Sequence, residues 1–178
     1  MGMDGLIKFL SDVGIDGEGV ESLYLLFIMN TEQLNSIKSS EYNNLLKSAK
    51  VYTAQDAKSY IKAELKKVNE SEEQFKKFMS FIFKASNVDN PMSKYITVDQ
   101  CVPILELVST SSSLLKNSSL IKVFIKYLND SGLKGIKRDE WESIYYFFKQ
   151  NQKDLSSYTA DDAWPVIFDD FAEWMKTH

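Results

Sequence analysis

Cysteine, histidine and proline are scarce in this chain, and each scarcity removes a class of protein. One cysteine in 178 residues, Cys101, leaves no partner for an internal disulfide and no thiolate cluster for zinc. One histidine, His178 at the end of the sequence, leaves neither a Ser-His-Asp triad nor an H-E-x-x-H zinc motif to assemble. Seven glycines are dispersed, with no glycine-rich phosphate loop among them. Three prolines and no alternating Val/Ile/Thr run argue against a sheet protein. No apolar run approaches the roughly 18 residues of a membrane span, and no signal-peptide pattern opens the chain. A soluble, intracellular protein is the expectation, acting in the cytoplasm, with nuclear entry open although no K/R-rich signal argues for it. The formal charge of -4 disfavours a nucleic-acid backbone as partner and permits a basic protein instead.

What is present points to a folded helical domain. Hydrophobic residues make up 44% and charged residues 26% of the chain, the balance of a globular protein. The length fits one domain over 1–178, or two small ones sharing a core. A short periodic element carries Leu6, Ile7, Phe9 and Leu10. Next comes L-Y-L-L-F-I-M (residues 23–29), apolar nearly all round, which is either buried on several faces or open to a partner. A helix from Glu41 to Ala49 follows, with Ser39 as its expected cap. Thr53 with Asp56 reads as a capped start. Ser71-Glu-Glu-Gln74 and Thr97-Val-Asp-Gln100 are capping-box patterns, the first placed before the aromatic run Phe75, Phe78, Phe81 and Phe83. The segment N-V-D-N-P-M-S-K is a loop, and so by composition is Ser109–Ser119. Further helices carry Phe124 and Leu128, then Trp141, Ile144, Phe147 and Phe148. Eight or nine helices define an all-α, compact multi-helix domain in which Cys101 is a buried small hydrophobe.

Two loops invite a metal test. With Ile136 at the eighth position of an EF-hand loop, Asn129, Ser131, Lys134 and Glu140 fall at the first, third, sixth and twelfth positions. With Ile96 there, the residues are Asp89, Pro91, Lys94 and Gln100. Both keep the apolar residue that pairs neighbouring loops, but both lack the invariant glycine, and the second lacks the terminal glutamate. The rhythm therefore predicts EF-hand-like helix pairing without metal. No cofactor is expected. A carboxylate pair such as Asp139 and Asp169 could be nominated for acid/base work, but among 25 acidic residues such a pair carries no information without a cleft.

The densest aromatic and acidic stretch is Y-T-A-D-D-A-W-P-V-I-F-D-D-F-A-E-W-M, Tyr158 to Met175. Asp161 or Asp162 is the expected cap of a terminal helix, with Pro165 in its first turn. Trp164, Phe168, Phe171 and Met175 form an apolar stripe that Ile167 and Trp174 widen, and Trp164 and Phe171 are expected in the core. Asp169, Asp170 and Glu173 fall away from it.

The order Y-x-x-(D/E)-x-A-W-P-x-x-x-D-(D/E)-F-x-E in this stretch resembles the terminal signature of the DCN1-like (defective in cullin neddylation) family, whose potentiating-neddylation domain the whole chain resembles, from M-D-G-L-I-K-F-L onward. The resemblance implies a non-catalytic, scaffold-type co-E3 factor. Such a factor holds the C-terminal winged-helix domain of a cullin and the N-acetylated tail of a NEDD8-conjugating E2, while a RING protein completes the ligase. Matched residue by residue, the implied cullin contact is Asp139, Ala163 and Asp169. The implied E2-tail pocket is Met3, Leu6, Leu25, Leu26, Met29, Ile37, Ile104 and Leu107. Two departures stand out: Ala85 where the family has an aromatic wall, and Ile104 in place of a pocket tyrosine. The competing readings are a metal-free EF-hand-like adaptor for another basic or helical peptide and, third, an enzyme of unknown helical class.

Overall fold

The computed structural model describes residues 3–50, 53–115, 118–159 and 161–178, apart from the side chains of Met3, Ser48 and Ala54. The chain divides into two compact units, Met1–Pro91 and Met92–His178, and the division falls inside the N-V-D-N-P-M-S-K loop. Among the described residues the secondary structure is nine helices and two three-residue strands.

The first unit holds α1 (Met3–Val13), α2 (Val20–Met29), α3 (Ser39–Ala49), α4 (Ala54–Glu70) and α5 (Glu72–Ser86). The all-round apolar α2 packs against α3, α4 and α5, which is why it has no polar face to spare: Tyr24, Leu25 and Leu26 are buried. Tyr24 meets Phe78 of α5 edge-on, ring centroids 4.8 Å apart. The capping signals act as read: Thr53 Oγ1 accepts the Asp56 amide at 3.1 Å, and Ser71 Oγ accepts that of Gln74 at 3.4 Å. Lys38, not Ser39, precedes the first turn of α3. The buried Glu41 determines this start, because its carboxylate accepts the amides of Lys38 at 2.6 Å and Glu32 at 2.9 Å and so ties down the preceding loop.

The second unit holds β1 (Tyr95–Thr97), α6 (Val98–Ser111), α7 (Leu120–Asp130), β2 (Gly135–Lys137), α8 (Arg138–Gln150) and α9 (Val166–Met175). The strands pair antiparallel with Ile96 opposite Ile136, both fully buried. Gln100 Oε1 accepts the Thr97 amide at 3.1 Å and starts α6. Glu140 does the same for α8, accepting the Lys137 amide at 2.7 Å. Phe124, Trp141, Phe147, Phe148, Phe168 and Phe171 form the core, each worth roughly 1.5–3 kcal/mol of burial. Burial pushes the Cys101 thiol up to about 12, as its place in the interior requires.

Three details differ from the sequence reading. Helix α6 runs on to Ser111 because the Ser109 and Thr110 hydroxyls bond back to the Glu106 carbonyl at 3.0 and 2.9 Å, which satisfies them inside the helix. Ser112, Leu115 and Ser118 beyond it are buried. The terminal helix begins at Val166 with Pro165 as N-cap and no side-chain cap, rather than behind Asp161 or Asp162. A residue before proline is driven out of the helical region, so Trp164 cannot be helical, and it lies half-buried rather than in the core.

Candidate functional site

The surface around the start of α9 is built on Phe147. This buried ring of α8 stacks on Phe168 at 4.1 Å and meets Trp164 edge-on at 5.3 Å and Tyr158 at 6.0 Å. One core side chain thereby fixes three points of the segment from Tyr158 to Phe168. A second anchor is the buried Asn151, whose amide donates to the Phe147 carbonyl at 3.1 Å and whose Oδ1 accepts the Ser157 hydroxyl at 2.8 Å.

On this frame Ala163 is exposed and Asp169, in the first turn of α9, is half-buried. Asp169 accepts a hydrogen bond from the Tyr158 hydroxyl. Burial, and then that bond and the Asp169 charge, raise the Tyr158 phenol well above the ordinary tyrosine range. Asp139 is exposed in the first turn of α8; eight residues before Phe147, it stands about 12 Å along the helix from the aromatic anchor. Carboxylates near helix N-termini are favoured there by the unpaired amides of the first turn. Among the described residues no Lys or Arg forms an ion pair with Asp139, Asp169, Asp161, Asp162 or Asp170, whereas Glu173 pairs with Lys176 and Glu142 with Arg138. The start of α9 is thus backed by buried aromatic rings, and these carboxylates form no ion pair among the described residues.

Sequence reasoning passed over two residues of this face. Val166 is 64% exposed, three residues before Asp169 and therefore beside it on the helix; the spacing alone could have found it. Tyr158 was legible only as a motif letter, since its partner lies across an irregular loop.

The residues nominated for the tail pocket are apolar and inward. Leu6, Leu25, Leu26, Met29 and Ile37 of the first unit are buried, as is Ile104 on α6, while Leu107 is half-buried. The Met3 side chain lies outside the described residues. No group of three or more His, Cys, Asp or Glu able to hold a metal ion occurs among the described residues, and the Glu140 carboxylate accepts the Lys137 amide. No helix among them is long and apolar enough to cross a membrane.

Comparison with known proteins places the chain in a family. A family model described as cullin binding matches residues 56–174, a span that contains Asp139, Ala163 and Asp169. The chain is 28% identical over 178 residues to DCN1-like protein 4 of Drosophila melanogaster, covering 99% of this chain and 68% of the relative. It is 25% identical over 179 residues to DCN1-like protein 5 of Homo sapiens, covering 99% of this chain and 71% of the relative. Against human DCN1-like protein 4 it is 28% identical over 176 residues, with 99% and 58% covered. The chain belongs to the cullin-binding, DCN1-like family. Its role there is that of a non-catalytic scaffold in the neddylation pathway.

Proposed function

We propose that residues 1–178 act as one potentiating-neddylation domain, a co-E3 scaffold that docks the C-terminal winged-helix domain of a cullin through Asp139, Ala163 and Asp169. The observation that carries this reading is the uncompensated charge: both aspartates stand at helix starts without a cationic partner among the described residues. A carboxylate with no ion-pair partner can take a charge-assisted bond from Lys or Arg of a basic partner, and the methyl of Ala163 lets that partner approach closely.

The second arm of the scaffold is the N-acetylated tail of a NEDD8-conjugating E2, received in apolar surroundings. Acetylation removes a charge that would otherwise have to shed water in apolar surroundings. With a RING protein present, holding cullin and E2 together accelerates transfer by restricting how thioester and lysine meet. The Ile96–Ile136 ladder supports reading the two loops before α6 and α8 as a metal-free, EF-hand-like pair. The place of action is the cytoplasm, and the nucleus where cullins are modified there.

Calorimetric titration against a panel of cullin C-terminal domains, run beside reconstituted NEDD8 transfer, tests the reading. Asp139→Ala and Asp169→Ala should each weaken binding by about 1–3 kcal/mol, the cost of a charged hydrogen bond, and Ala163→Arg should abolish it, all without unfolding the protein. If the parent binds none of the panel, or if the triple variant binds and stimulates as the parent does, the site assignment is lost.

A further inference from the structure

We propose that Tyr158 is a positioning residue of this docking surface: its hydroxyl, donated to Oδ1 of Asp169, holds that carboxylate with its second oxygen turned toward the basic partner. The inference rests on the cullin-docking reading and adds to it a residue that none of the nominated contacts includes.

Three observations converge on it. The tyrosine is fixed at every level: its amide donates to the Leu155 carbonyl at 3.1 Å, its ring lies edge-on to Phe147, and its neighbour Ser157 is held by the buried Asn151. The ring packing would be served equally by phenylalanine, so what the hydroxyl adds among the described residues is the bond to Asp169. The donor is also neutral. A lysine or arginine in its place would orient the carboxylate and cancel its charge together, whereas a phenol orients it and leaves the charge for the partner. An ionised carboxylate offers about four acceptor positions; the phenol occupies one, on Oδ1, and Oδ2 stays available. Burial beside a carboxylate keeps the phenol protonated, so the donor persists across the neutral range.

The test is a double-mutant cycle of Tyr158→Phe and Asp169→Asn, read by calorimetric titration with cullin C-terminal winged-helix domains. Tyr158→Phe should weaken binding about tenfold, equivalent to ~1.4 kcal/mol, and leave the melting temperature unchanged. In the Asp169→Asn background the same substitution should have almost no further effect. Parent-like binding by Tyr158→Phe overturns the proposal. So does an equal loss in both backgrounds, which would mean the hydroxyl merely stiffens the loop.

A measurement free of any partner separates this inference from the function it rests on. The phenol absorbance titration of Tyr158, taken as parent minus Tyr158→Phe, should lie above the ordinary tyrosine range and move down in Asp169→Asn. No movement refutes the hydrogen bond itself. Movement in a parent that binds no cullin domain refutes the docking role while the bond stands.

Discussion

Truncating Trp164 to alanine should be markedly less costly than truncating the ring it leans on. Phe147 is fully buried and meets the rings of Phe148, Tyr158, Trp164 and Phe168, so Phe147→Ala should cost about 3–5 kcal/mol, the range for a core Phe. Trp164 is half-buried and touches Phe147 and Phe168 edge-on at 5.3 and 5.9 Å. Half of a tryptophan's burial is roughly 100 Å², which at about 25 cal/mol per Å² gives ~2.5 kcal/mol. A fully buried tryptophan would cost about 3–5 kcal/mol. Urea unfolding of the two variants, followed by far-ultraviolet circular dichroism, measures both against the parent. The alanine variant at 164 should still fold but bind a cullin domain more weakly, because the segment carrying Ala163 loosens. A cost equal to that of Phe147→Ala, or one below about 0.5 kcal/mol, would refute the account of a ring lying half over the core.

Three further outcomes follow from the second unit. A methyl on Gly135 would sit 2.2 Å from the Ile96 carbonyl oxygen and 2.6 Å from the Tyr95 ring, so Gly135→Ala should open the strand pair and cost over about 2 kcal/mol; an unchanged thermal melt would show that the strands do not pair this closely. Burial holds both the Cys101 thiol and the Tyr127 phenol up to about 12. In the unfolded chain these acids release their protons sooner, so stability should be level below about pH 8 and fall between roughly pH 9 and 12. Urea midpoints across that range check it, and a flat profile would refute the burial of both groups. Glu140→Ala should cost about 1 kcal/mol through the lost cap and leave calcium titrations of the metal-stripped protein without heat, as in the parent; a saturable signal abolished by the substitution would restore the metal reading.

What was legible in the sequence was local. Thr53, Ser71 and Gln100 act on amides three residues away, a distance that spacing encodes directly. The apolar α2 was legible as buried or open, and its packing on three helices resolves that choice within the first unit. The start of α9 differs from the expected Asp161 or Asp162 cap because the proline's steric demand on Trp164 decides where the helix begins. The three residues by which α6 extends into the serine-rich segment are not legible, because composition cannot tell a hydroxyl bonded to its own helix from one bonded to water.

The character of the site was legible in part, and the missing part has a physical cause. Asp169 and Glu173 lie four residues apart on one helix, both read from the sequence as carboxylates off the apolar stripe, and periodicity gives them the same standing. In the folded chain they differ in kind. Glu173 is paired with Lys176 at the C-cap of its helix, a local bond between exposed side chains that is worth little to stability and that neutralises the charge. Asp169 is bound by Tyr158, eleven residues back across an irregular loop, which orients the charge and leaves it whole. Whether a carboxylate is spent or available depends on which donor the fold brings to it. That donor is set here by Phe147 and Asn151 holding the loop in place, and no pattern of charge along the chain contains it.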